Sequence, residues 1–207
     1  MAVIEYFYST RSIYAYFGAA RLTALARQFG RRIEHKPIDL SVVVPASGGT
    51  PFGDRAKQRQ AYFFGREIER WSQYLGLPAH VDPKHHYGDR TLPSGIVLAA
   101  AELPGDAVNR LSHAILQALW RDDRDIADPA VLADLARSQG LDPDRLLERA
   151  RSAEIQAHFR ACTDEAVRRF ILGSPTYVVD GDPFYGQDRL DLVERALQRP
   201  FAYSAAY

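Results

Sequence analysis

The stretch EYFYSTRSIYAYFGAARL, from Glu5 to Leu22, decides how the chain is read. Val3 to Tyr8 has the composition of a short buried strand. After Ser12 the apolar positions Tyr16, Ala20, Leu22, Leu25 and Ala26 fall on one helical face that ends at Gly30. Ser12 therefore stands where a strand runs directly into a helix N-terminus. Unpaired N–H groups and the positive end of the dipole favour an anion there, and a thiolate is such an anion. A cysteine at this place has its pKa lowered. A serine either caps the helix with its own oxygen or gives its hydroxyl proton to the sulfur of a second molecule, and these residues alone leave both roles open.

Working outward, Arg32 to Lys36 makes a second strand closed by Pro37, completing a strand-helix-strand unit with parallel pairing and a right-handed crossover. SVVVPASGGTPFGD, Ser41 to Asp54, is rich in Gly, Pro and Ser and reads as a surface loop. The pattern then becomes helical up to about Phe170. Phe64, Ile68, Trp71 and Leu75 form one stripe, and Val108, Leu111, Ile115 and Leu119 another; these are core faces. Asp128-Pro129 and Asp142-Pro143 read as N-caps with proline at the first helical position, and Gly140 stops the first of these helices. Beyond Phe170, Thr176 to Val179 is a strand, Asp180-Gly181 a hairpin turn, Pro183 to Tyr185 a short strand, and Asp188 to Leu197 a helix with Asp188 as its N-cap. This order predicts an α/β thioredoxin-like fold with an all-α helical domain inserted between the N-terminal βαβ and C-terminal ββα units. Residues 1–40 and 170–207 form the discontinuous thioredoxin-like part, and 41–169 the loop plus helical insertion.

Composition narrows the function. The 207 residues carry 26 basic and 26 acidic side chains with no long block of either sign, which argues against nucleic acid and anionic membranes as partners. No apolar run approaches the roughly 20 residues needed to span a bilayer, and no signal peptide is seen, so a cytoplasmic protein is expected. A single cysteine, Cys162, excludes an internal disulfide and any Cys-x-x-Cys pair. Any thiol chemistry must use a sulfur from another molecule.

Two motifs at opposite ends of the chain carry a likeness. EYFYSTRSIYAYFGAARL resembles the N-terminal motif of the 2-hydroxychromene-2-carboxylate isomerases and the kappa-class glutathione transferases, in which an acidic-aromatic strand leads to Ser-Pro-aromatic-Ser. GSPTYVVDGDPFYGQDRL resembles the same family's Gly-x-Pro-Thr segment followed by Phe-Gly-x-Asp-Arg-Leu, and REIERWSQYLGLP and DPKHH resemble its helical insert. The likeness thus covers nearly the whole chain and implies a DsbA-like member of the thioredoxin superfamily, with Ser12 at the position of the first cysteine of disulfide oxidoreductases. Aligning Glu5-Tyr6-Phe7-Tyr8 with the family strand selects Ser12 over Ser9. Two departures stand out: Ile13 where the family usually has Pro, and Ala15 where it usually has a second Ser.

The resemblance implies glutathione as a recycled cofactor, its thiolate held by the Ser12 hydroxyl. It implies a cis Ser174-Pro175 bond whose backbone pairs with the glutathione peptide as an added strand would. Gln187, Asp188, Arg189 and Leu190 would meet its γ-glutamyl end, with Asp188 serving there, as a cap, or as both. Arg189 also reads as a surface charge. On the substrate side the expectation rests on Tyr14, on Gly49 and Thr50, where the family has Asn before Pro, and on Lys84 and His85. Lys57, Arg59, Tyr62 and His86 are further groups near an anionic substrate.

The activity implied is interconversion of 2-hydroxychromene-2-carboxylate and trans-o-hydroxybenzylidenepyruvate, in naphthalene-type catabolism. Glutathione would add to the substrate, allow rotation or ring opening, and leave unchanged. The rivals are a kappa-like transferase or peroxidase acting on another electrophile, and a non-catalytic glutathione-binding module. His85-His86 lacks the further ligands of a metal site, so no metal is expected, and Cys162 reads as a bystander. The family habit and the tail aromatics Tyr203 and Tyr207 suggest a homodimer.

Overall fold

The computed structural model describes residues 2–202, so the tail tyrosines behind the dimer expectation lie outside the described residues. Four strands, β1 (Val3–Tyr8), β2 (Arg32–Pro37), β3 (Thr176–Val179) and β4 (Asp182–Tyr185), form one sheet in the order β2-β1-β3-β4. β1 and β2 run parallel across helix α1 (Ile13–Gln28), and β3 is antiparallel to both β1 and β4. The β3–β4 turn has positive φ at Asp180 (50°) and Gly181 (93°), as a two-residue hairpin turn that follows the strand twist requires.

Strand alternation divides the core. Ile4, Tyr6 and Tyr8 face a large cluster with α1, while Phe7 and Val178 face a second cluster with Ile38, Phe159 and Cys162. One row runs across the sheet as His35, Tyr6, Tyr177 and Phe184. Within it the Tyr6 ring stacks on Tyr8 at 4.0 Å and on Tyr177 at 5.5 Å between centroids.

The insertion supplies α2 (Leu40–Ala46), α3 (Lys57–Ala61), a π-helical turn (Tyr62–Arg66), α4 (Glu67–Leu75), α5 (Thr91–Ala101), α6 (Ala107–Trp120), α7 (Pro129–Ser138), α8 (Pro143–Arg151) and α9 (Ala153–Arg168). Leu111, Ile115 and Leu119 of α6 join the same cluster as Tyr6 and Tyr8, so the inserted helices share a core with the sheet. Asp128 caps α7 by accepting from Ala130 N–H at 2.8 Å, and Asp142 caps α8 through Asp144 and Arg145. Gly140 has φ +72° after α7. α10 (Leu190–Gln198) packs against β3, β4 and α1.

Two expectations are corrected. Ser41 to Asp54 is not loop throughout: Asp39 accepts from Ser41 N–H at 2.8 Å and starts α2, which buries Val43 and Val44, and a 3-10 turn spans Phe52–Asp54. Pro45 gives up one intrahelical bond near the end of α2, and Gly48 (φ +81°) follows it. Asp188 does not cap the last helix; it lies inside a 3-10 turn, Gln187–Arg189, that runs straight into α10.

Candidate active site

Ser12 caps the first helix and also directs its hydroxyl to a backbone carbonyl. Its Oγ accepts from Ala15 N–H at 3.2 Å as the N-cap of α1, and its hydroxyl donates to the carbonyl of Ser174 at 3.4 Å. The second bond is long for O–H···O and therefore weak. The turn is braced by Ser9, whose carbonyl accepts from Ser12 N–H (3.0 Å) and whose Oγ accepts from Arg11 N–H (3.2 Å). Ser9 N–H in turn donates to Ser174 Oγ at 3.0 Å, which makes Ser9 a brace for the turn. The Ser174-Pro175 peptide is cis.

The C-terminal residues are brought to the same place by one backbone bond, Gly186 N–H to the Pro175 carbonyl at 2.9 Å. A Cβ placed on Gly18 of α1 would meet the Tyr177 hydroxyl, with Gln187 Cβ at 3.2 Å and Leu190 Cδ1 at 3.5 Å. Gln187 is buried, and its Nε2 has no hydrogen-bond partner among the described residues. An amide left unpaired in this way costs about 1–3 kcal/mol, and a ligand acceptor would relieve that cost. Asp188 is partly exposed and pairs with Arg189 at 2.9 Å. This set fits a thiol peptide: a hydroxyl at a helix N-terminus, a cis turn beside it, and a buried amide donor without a partner among the described residues.

Tyr14 joins the first turn of α1 to the insert by donating to the Phe63 carbonyl at 2.7 Å. Burial, with the nearby Glu67 and Tyr185, raises its pKa and keeps the phenol protonated. The Tyr185 ring leans on Gly173, just before the cis peptide. Gly49 and Thr50 stand behind a residue that sequence reasoning missed, Arg55. Its Nε donates to the Thr50 carbonyl at 3.0 Å, and its guanidinium lies 4.0 Å from the Phe52 ring centroid and 6.0 Å from that of Phe64. Arg55 makes no ion pair among the described residues; burial first and Arg59 second lower its pKa, and its charge reaches the Tyr185 phenol. The signal present in the sequence was a cation three residues after Phe52, ahead of an aromatic run.

Lys84 is exposed, and His85 is half-buried with Nδ1 3.9 Å from Asp125. The His86 ring lies 4.9 Å from Trp120. Arg11, also missed, binds the backbone of this segment. Behind the serine turn runs a buried chain of hydrogen bonds. His35 Nε2–H donates to Asn109 Oδ1 (2.7 Å), so its Nδ1 accepts from the Tyr8 hydroxyl (3.1 Å), which in turn accepts from Ser112 (2.7 Å). Cys162 belongs to the cluster on the far face of the sheet, where burial pushes its thiol up to about 12. Among the described residues no helix is long and apolar enough to cross a membrane.

A sheet whose third strand follows a cis proline, set against the N-terminus of α1 at Ser12, defines a thioredoxin-like protein. The chain belongs to the family of the DSBA-like thioredoxin domain, whose model matches residues 3–198. It is 28% identical over 195 residues to a 2-hydroxychromene-2-carboxylate isomerase of Sphingobium xenophagum, covering 94% of this chain and 97% of the relative. It is 27% identical over 216 residues to glutathione S-transferase kappa 2 of Caenorhabditis elegans, covering 96% and 93%. A solved structure of a 2-hydroxychromene-2-carboxylate isomerase superposes with a TM-score of 0.79 at 21% identity, covering 95% of each chain. The resemblance drawn from the two end motifs, and the fold it implied, are borne out.

Proposed function

We propose that the protein is a glutathione-dependent isomerase that interconverts 2-hydroxychromene-2-carboxylate and trans-o-hydroxybenzylidenepyruvate. The observation that carries this reading is Ser12, a hydroxyl donor at a helix N-terminus facing the Ser174 carbonyl of a cis Ser174-Pro175 turn. The sole cysteine lies buried on the opposite face of the sheet. Such a site polarises and holds a sulfur without supplying one. The names of the relatives favour the same reaction.

Glutathione, when bound, supplies the nucleophilic sulfur. Ser12 turns its proton from the Ser174 carbonyl to that sulfur, and the N–H groups of the first turn of α1 favour its anionic form near neutral pH. Ser174 offers backbone to the peptide, and Gln187 and Asp188 receive the γ-glutamyl end. Arg55, set among Phe52, Phe64 and Tyr185, suits the carboxylate of a planar aryl acid, with Tyr14 holding the first turn of α1 to the insert through the Phe63 carbonyl. Lys84 and His85, on the segment that Arg11 holds to the serine turn, are assigned to the substrate side in this reading. The reading carries with it a cytoplasmic homodimer acting on a small aromatic acid; a monomeric mass in sedimentation would remove the dimer.

The test follows the ultraviolet absorbance of 2-hydroxychromene-2-carboxylate with purified protein, with and without catalytic glutathione, for wild type and Ser12→Ala. Conversion that needs glutathione and collapses in the variant is the expected result. No conversion by a folded, glutathione-binding wild type would overturn the isomerase assignment and direct attention to conjugation of other electrophiles.

A further inference from the structure

The residue before Ser12 does something that the thiol site does not require. Arg11 is buried, 8% exposed. Its Nη1 donates to the carbonyls of His85 (2.7 Å) and His86 (2.6 Å), and its Nη2 and Nε donate to the carbonyl of Asp89 (2.6 and 3.2 Å). All three guanidinium nitrogens are used, every acceptor is main chain, and all come from one irregular segment. Among the described residues Arg11 forms no ion pair. Asp89, whose backbone it holds, turns its carboxylate instead to Thr91 and Leu92 at the start of α5. A planar fork with several donors suits this task, which a lysine would perform only in part.

The segment is residues 78–90, a strap between α4 and α5. Its near end is pinned by the Tyr16 hydroxyl donating to the Pro78 carbonyl (2.9 Å) and by His80 N–H donating to the Trp120 carbonyl (2.7 Å). Its middle carries Lys84 and His85 and is held by Arg11 and by the packing of His86 against Trp120. Arg11 itself is part of the serine turn, since its N–H donates to Ser9 Oγ. The fit is close on the strap side too: a Cβ on Gly88 would stand 2.7 Å from Arg11 Nη2 and 3.1 Å from Ala127 Cβ.

We propose that Arg11 is a positioning residue that locks the strap 78–90 to the serine turn and so keeps the Lys84-His85 wall in register with Ser12 for the second substrate. This rests on the reading of Ser12 as the thiol site. Glutathione's proposed anchors, Ser174 and Gln187, lie on the C-terminal elements and are not held by the clamp. The two ligands should therefore respond differently to its loss.

The experiment compares wild type with Arg11→Gln, Arg11→Lys, Gly88→Ala and the Arg11→Gln/Gly88→Ala double variant, all also in a Trp71→Phe background where Trp120 is the sole tryptophan. Arg11→Gln is expected to raise KM for 2-hydroxychromene-2-carboxylate about tenfold, with kcat within about threefold and glutathione Kd within about twofold. Arg11→Lys should recover part of the loss. Gly88→Ala should reproduce it with Arg11 present, and the double variant should add little, because both break one contact. Trp120 emission should shift in the same variants as His86 moves. A folded Arg11→Gln with unchanged KM overturns the proposal, and so does a glutathione Kd that rises in parallel, which marks general destabilisation. If Arg11→Gln does not fold, Gly88→Ala carries the same two readings. Absence of turnover in the wild type is instead the failure of the isomerase reading; the clamp is then judged by whether the variants weaken binding of trans-cinnamate, an unreactive aryl acid, in step with the Trp120 shift.

Discussion

The Tyr177 hydroxyl rests against Gly18 at the point where a Cβ would stand, and Gln187 Cβ lies 3.2 Å from that same point. Helix α1 thus approaches the sheet and the Gln187–Arg189 turn at a glycine, and the distance between Ser12 and its C-terminal partners depends on that approach.

An alanine in the middle of a helix is ordinarily more stable than glycine by about 1 kcal/mol. Here the sign should reverse: Gly18→Ala should destabilise the protein by about 1–3 kcal/mol through overpacking and weaken glutathione binding. Tyr177→Phe removes the contacting oxygen, so the double variant should regain much of the loss. Chemical denaturation and calorimetric titration of the four proteins read both effects. A Gly18→Ala variant as stable as wild type would show that the contact relaxes freely.

Gln187 separates folding from binding. Its Nε2 is buried without a partner among the described residues, so Gln187→Leu removes an unsatisfied donor and should leave the free protein equally stable or slightly more so. Glutathione affinity should nevertheless fall about tenfold, the value of one hydrogen bond to a charged group. Loss of stability with unchanged affinity would make Gln187 purely structural.

What was legible in the sequence was what local rules encode. Asp128-Pro129 and Asp142-Pro143 start helices because cap and first-turn preferences act within a few residues, and Asp180-Gly181 turns because both positions need positive φ. α2 was missed because Pro45 and the Ser-Gly-Gly that follows resemble a loop, whereas burial of Val43 and Val44 and the Asp39 cap favour a helix. Arg11 had no readable signal, since its partners lie more than 70 residues away, and neither did the contact of His35 with Asn109, 74 residues on; only the folded chain brings these together. Ser12 was found through its motif; its bond to the Ser174 carbonyl is a tertiary fact.

Ser12 both caps α1 and presents a proton, and two substitutions divide these roles. Ser12→Ala should cost about 1 kcal/mol of stability through the lost cap, whereas Ser12→Gly should cost only a few tenths. Both remove the hydroxyl, so both should lower turnover by about a hundredfold, as the loss of one donor to a developing charge does elsewhere. Thermal melts and initial rates on the same preparations check this. Activity that follows stability, with Ser12→Gly near wild type, would leave Ser12 as a cap alone.

His35 gives the fold an acid limit. Burial holds its pKa down to about 4 against an ordinary 6.5, because protonation would place a charge in the core and deny Tyr8 its acceptor at Nδ1. A histidine whose folded pKa lies below the unfolded one contributes stability that is fully present above pH 6.5 and is lost as the pH falls through that window toward 4. The gap corresponds to about 3 kcal/mol at most. Urea midpoints measured from pH 7 to pH 4.5 should therefore fall in the wild type. His35→Phe should be less stable at pH 7 by about 1–3 kcal/mol, from the unpaired Tyr8 and Asn109 groups, yet show a flatter pH dependence across the window. Carboxylates such as Glu5, which the Arg169 guanidinium and Lys36 hold down to about 2, titrate on folding below this range and leave the difference between the two proteins to the imidazole. An equal slope in both proteins would remove His35 as its source.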